Sequence, residues 1–104
     1  MLRRARFGEL VDRQLDLFEE DSRALLAETA EAEKTWTGAT REESEELYGD
    51  YQLLVDEIGE RLLDLRETYA GTLDERTADE YRSVFNKATR KRFGRDQATL
   101  LEES

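Results

Sequence analysis

The apolar residues of this chain form a mirror image about one glycine. Phe7, Val11, Phe18 and Leu25 precede Gly38, and Tyr69, Leu65, Ile58 and Tyr51 follow it, each as far from residue 38 as its counterpart. Apolar residues repeated every three or four positions fall on one face of an α-helix. Two such faces mirrored about a residue able to turn the chain predict an antiparallel hairpin whose arms interlock knobs into holes. Gln14, Ser22 and Thr29 are the polar members of the first stripe, opposite Leu62, Leu54 and Leu47. They weaken the seam or are reserved for something else.

Local signals set the expected boundaries. Thr40 and Glu43 have the spacing of a capping box, in which hydroxyl and carboxylate satisfy each other's unpaired N–H groups, and Thr77 with Glu80 repeats it. Gly71 stands where a left-handed C-cap ends a helix, and Gly94 can close the next one. Helices are therefore expected at about residues 2–35, 41–70 and 78–93, with residues 1–95 as a single domain and 96–104 as a short frayed tail in which Leu100 and Leu101 can dock. The fold class is all-α, a three-helix bundle made of a long hairpin and a shorter third helix. At about 1.5 Å per residue the third helix covers only half of the hairpin. Leu25, Leu26, Trp36, Tyr48 and Val55 are then exposed near the turn, and a patch of that kind is expected to be covered by a second copy of the chain, completing a four-helix dimer. Gly49 and Gly59 interrupt the second helix, where close approach of another helix is one reason to keep a residue that disfavours helix.

Composition agrees with helices. Fifteen Leu against four Ile or Val, with no Pro, favour helix over sheet. With 40% charged residues and a net charge of −10, the chain is close to disorder; 23 of 104 residues are Leu, Ile, Val or Phe, just above the roughly 20% that collapse requires. The absence of His and Cys removes the usual general base, metal nitrogen and thiol nucleophile, so no enzyme activity, cofactor or metal site is expected. No apolar run approaches the roughly 18 residues of a membrane span, and no leader pattern is evident, so a cytoplasmic protein with no membrane partner is expected.

Carboxylates recur at helical spacing at Glu42, Glu45, Glu46 and Asp50, and again at Glu57, Glu60 and Asp64. Paired acidic helix motifs of this sort resemble those of the all-α nucleotide pyrophosphohydrolases, which implies a carboxylate-only magnesium enzyme as an alternative; the spacing departs from that family's ExxE and ExxD pattern, because Asp64 is four residues from Glu60. The tripeptide Trp36–Thr37–Gly38, at the turn of a helical hairpin about one hundred residues long, resembles the WXG100 family of small secreted hairpins that dimerise into four-helix bundles. That resemblance implies a dimer. The chain departs from the family in its third helix, its charge, and its lack of a YxxxD or YxxxE signal, since Leu73 follows Tyr69 and Phe85 follows Tyr81 at that spacing.

Charge is segregated along the chain. Residues 82–95 carry six cations and no anion, whereas residues 7–81 carry 23 acidic and 7 basic side chains. Extended as one helix, Lys87, Arg90, Lys91 and Arg95 share a basic face, which balances the acidic body, docks an acidic protein or, as an alternative, contacts nucleic acid through phosphates. The expectation is a non-enzymatic interaction or scaffold module. Leu25, Trp36, Tyr48 and Tyr51 are its anchors, and the Lys87–Arg95 face steers the partner.

Overall fold

The computed structural model of the chain describes residues 6–104. Among these residues there are five helices and no strand: α1 (Gly8–Asp21), α2 (Arg23–Thr37), α3 (Arg41–Ala70), α4 (Glu75–Phe93) and α5 (Arg95–Glu103). The all-α class holds, but with five helices where three are expected. The additional two arise from a break in the first long helix and from ordering of the C-terminal segment.

Residues 2–5 of the expected first helix lie outside the described residues. Phe7 takes a left-handed φ of 72° and α1 begins after it, at Gly8. That conformation costs a side-chain-bearing residue roughly 1–2 kcal/mol, and it is held by the Phe7 ring, which packs edge-on against Tyr81 at 5.5 Å and Tyr69 at 6.4 Å. The mirrored pair Phe7 and Tyr69 thus meets, with an α4 residue joining it.

The break at Ser22 separates α1 from α2, with ψ moving to 21° while Ser22 N–H still donates to Phe18 O and Ser22 O accepts from Leu26 N–H. Ser22 is buried, and its hydroxyl oxygen accepts from Arg61 Nη1 on α3 at 3.4 Å. Below the bend α1 packs mainly on α4 rather than zipping along α3. Gln14 Oε1 accepts from Tyr81 Oη at 2.8 Å, Phe18 packs edge-on against Phe93, and Arg92 on α4 reaches Asp12, Asp16 and Glu19 on α1. Two of the three polar stripe positions therefore have partners outside a simple seam. The third, Thr29, donates to Leu25 O in its own helix.

The chain reverses at Gly38 as expected. Of the last carbonyls of α2, which lack partners inside the helix, Lys34 O accepts from Gly38 N–H and from the Thr37 hydroxyl, and Trp36 O from Ala39 N–H. At the start of α3 the Thr40 hydroxyl donates to the Glu43 carboxylate and Thr40 O accepts from Glu43 N–H, so the pair meets without the reciprocal side-chain-to-backbone bonds of a capping box. Helix α4 starts three residues earlier than expected, because Asp74 caps it by accepting from Thr77 N–H at 3.0 Å and from the Thr77 hydroxyl. Gly71 is right-handed, with φ of −64°, so it does not form the expected left-handed cap.

Gly94, at φ of 94°, ends α4 and reverses the chain into α5. The expected frayed tail is therefore a helix that lies along α3 and α4, with Ala98 and Leu101 fully buried. Two features of α3 receive it. Gly59 lets Leu100 approach so closely that a Cβ at Gly59 would sit 3.0 Å from Leu100 Cδ2. Arg66, itself buried, donates through Nη1 to Leu101 O at 2.9 Å and to Asn86 Oδ1 at 2.8 Å, and through Nε to Glu67. Gly49 has open space around it and receives no neighbour.

The molecule measures 52 × 26 × 24 Å, with a radius of gyration of 15.7 Å where a compact chain of this length has about 13 Å. The core gathers Val11, Leu15, Phe18, Leu25, Ile58, Leu62, Tyr81, Phe85 and Leu101 at the end away from the α2–α3 turn. From residue 30 to residue 50 no residue is buried. The α2–α3 hairpin outruns the other helices and projects as a bare two-helix tip.

Candidate binding groove and hairpin tip

A groove of about 360 Å³ opens where the base of the tip meets the α4–α5 turn. Leu26, Ala30, Ile58 and Phe93 supply apolar wall, and Thr29, Glu33, Tyr51, Arg95, Asp96 and Gln97 supply polar groups. The turn at Gly94 places Asp96 in the first turn of α5, where a carboxylate complements the helix dipole. Asp96 Oδ2 accepts from Tyr51 Oη at 3.1 Å, and Glu33 Oε2, arriving from α2, lies 3.1 Å from the same hydroxyl. Burial pushes the Tyr51 phenol's ionisation above its ordinary value, and the hydrogen bonds to Asp96 and Glu33 push it further. Gln97 is 7% exposed and its Oε1 is buried with no hydrogen-bond partner. A second, more apolar groove lies between α1 and α3, floored by Phe18 and Leu65, with Leu17 exposed at its edge.

Above the groove the tip carries an aromatic cluster. Trp36 stacks on Tyr51 at 5.7 Å and 9°, and Tyr48 lies 4.9 Å from Trp36. Tyr48 is exposed, Trp36 half-buried. Around them Glu42, Glu43, Glu45, Glu46 and Asp50 are all exposed, against Lys34 and Arg41.

The expected anchors separate into two groups. Leu25, Tyr51 and Val55 are buried within the chain, and α5 folds back over α3 where open surface is expected; Trp36 and Tyr48 remain as tip aromatics. The expected basic face is also divided. Lys87, Arg90 and Lys91 are exposed on α4, but the positive φ at Gly94 interrupts the helix before Arg95, which lines the groove instead. Arg90 pairs with Glu102, Arg92 with the α1 carboxylates, and Arg82 with Glu67 and Asp79. Half of the six cations between residues 82 and 95 are thus tied to carboxylates of the same chain.

Sequence reasoning does not identify Glu33, Asp96, Gln97 or Arg66. Glu33 on α2 lies far along the chain from Asp96 and Gln97 on α5. The one local signal is Gly94 followed by Asp96, a glycine break with an acid in the next first turn. Among the described residues no helix is long and apolar enough to cross a membrane. No known family, curated protein or solved structure matches this chain, so the two family resemblances rest on the residues quoted for them.

Proposed function

We infer that the chain is a non-enzymatic docking module whose working surface is the α2–α3 tip and whose partner is a basic protein segment. One observation carries this reading: from residue 30 to 50 nothing is buried, although the tip holds Trp36 and Tyr48. An isolated pair of helices without a shared core is marginal, and aromatic residues at such a place are the usual anchors of an interface. The ring of five exposed carboxylates sets the sign of the partner. A second copy of the chain is the competing occupant. Two tips brought face to face set carboxylate against carboxylate, so that association strengthens with salt, whereas docking of a basic segment weakens with salt.

Trp36 is the sole tryptophan and reports on the tip directly. Titration with a lysine-rich amphipathic helical peptide is expected to shift Trp36 emission to the blue, saturably and less at high salt, and Tyr48→Ala is expected to weaken binding at least tenfold. Unchanged emission would count against the reading. A concentration-dependent shift without peptide that grows with salt would replace the basic partner with a second copy.

A further inference from the structure

Ion pairing within the chain leaves two patches of opposite sign uncompensated. Arg92 takes up Asp12, Asp16 and Glu19, Arg66 and Arg82 share Glu67, and Arg90 holds Glu102. Among the described residues no cation pairs with Glu42, Glu45 or Glu46 at the tip, and no carboxylate pairs with Lys87 or Lys91 on α4. All of these unpaired side chains are exposed.

The two patches cannot meet within one chain. Tyr51 and Phe93 line the same groove at the base of the tip, from which α3 runs out to Glu46 and α4 runs back to Lys87. At 1.5 Å per residue, Glu46 and Lys87 are therefore about 16 Å apart along the helix axes. Between two copies the patches match in spacing as well as in sign. Glu42 and Glu46 stand four residues apart, as do Lys87 and Lys91, so each pair shares one helix face with a rise of about 6 Å. Two copies laid side by side in opposite directions run α3 of one along α4 of the other, setting Glu42 against Lys87 and Glu46 against Lys91. Exposed Tyr48, three residues after Glu45, borders this face. The hydrocarbon stems of the two lysines and half-buried Val84 give its ring apolar contact, and the ammonium groups suit the faces of Tyr48 and Trp36.

We propose that the tip docks on the Lys87–Lys91 face of a second copy of this chain, which returns the contact, so that each tip of a two-fold dimer lies along α4 of the other copy. The proposal rests on the docking reading, for which it supplies the basic segment, and it differs from tip-to-tip pairing, which sets like charges together. The net charge of −10 repels copies at a distance. At about 0.1 M salt that repulsion is screened beyond about 10 Å, and the contact between patches decides.

Sedimentation velocity of the full chain at about 0.1 M and about 0.5 M salt tests the proposal. A dimer that weakens as salt rises is expected, with Trp36 emission shifting to the blue as it forms. Lys87→Glu with Lys91→Glu, and separately Glu42→Lys with Glu46→Lys, alter exposed residues and are each expected to give a monomer. Mixed together, the two double variants set every reversed patch against its complement and are expected to recover a one-to-one dimer. A monomeric wild-type chain, a dimer that strengthens with salt, either double variant dimerising as tightly as the wild-type chain, a mixture that stays monomeric, or assembly beyond two copies would overturn the proposal. A monomer that still binds the lysine-rich peptide at Trp36 overturns this proposal alone and leaves the docking reading standing, whereas loss of both responses ends both.

Discussion

The guanidinium of Arg66 joins three elements at one buried point: α3, on which it sits, Asn86 of α4 and the Leu101 carbonyl of α5. Replacing it by Met leaves Asn86 Oδ1 and the Leu101 carbonyl without a donor, and bonds from a charged donor contribute about 1.5–3 kcal/mol each. Arg66→Met is expected to lower unfolding free energy by about 3 kcal/mol, read from the urea midpoint; a loss below about 1 kcal/mol would contradict this account. Thr89 is the reverse case. It is fully buried on α4 and its hydroxyl has no partner, so Thr89→Val, close in shape, is expected to stabilise the fold by about 1 kcal/mol in the same measurement. Tyr81 gives a pH signature. Burial pushes its phenol up to about 12, so the unfolded chain loses this proton first, near pH 10. The stability that Tyr81 contributes is complete below pH 10 and is lost as pH rises towards 12. Tyr81→Phe is expected to flatten the alkaline fall in melting temperature over that window, although Tyr51 continues to contribute in the same direction.

Among the elements, α5 depends most on a single position. Gly59 provides the space that Leu100 occupies, and an alanine there places its Cβ against the movable end of that leucine. Gly59→Ala therefore sets a helix-propensity gain of about 1 kcal/mol against a small repacking cost and is expected to be nearly neutral. Gly59→Leu leaves no room for Leu100. Hydrogen exchange is expected to show amides 97–101 losing protection while the amides of α4 keep theirs; loss across both would mean that α5 is not an independent layer.

The same helix marks the limit of what could be read from the sequence. The hairpin, its turn at Gly38 and the span of α3 were legible because periodicity and local punctuation carry them. The Ser22 bend was not, because no local signal marks it; the Ser22 hydroxyl's partner there is Arg61, thirty-nine residues away. Docking of Leu100 and Leu101 was, but the helix that presents them was not, since nine residues form a stable helix only against a surface supplied by distant parts of the chain. Of the groove, Tyr51 was read as an interface anchor and Arg95 as part of a basic face. Arg95's position follows from the positive φ at Gly94, which no stripe counted along α4 can register, and the same turn brings Asp96 to Tyr51.

At the scale of the whole molecule, stability is unevenly distributed. The core lies at one end and the α2–α3 turn at the other, so the tip rests on helical hydrogen bonds and a few aromatic contacts. Amides in residues 34–48 are expected to exchange on the order of a hundredfold faster than those in 55–66; equal protection would show that the tip is supported without a partner. Helix α3 alone runs unbroken through both regions, for 30 residues or about 45 Å, while the strand of chain opposite it bends at Ser22. Whatever grips the tip therefore pulls on a stiff lever whose far half holds Gly59 and Arg66, the two seats of α5. On the docking proposed here, capture at one end would act as leverage on the clasp at the other.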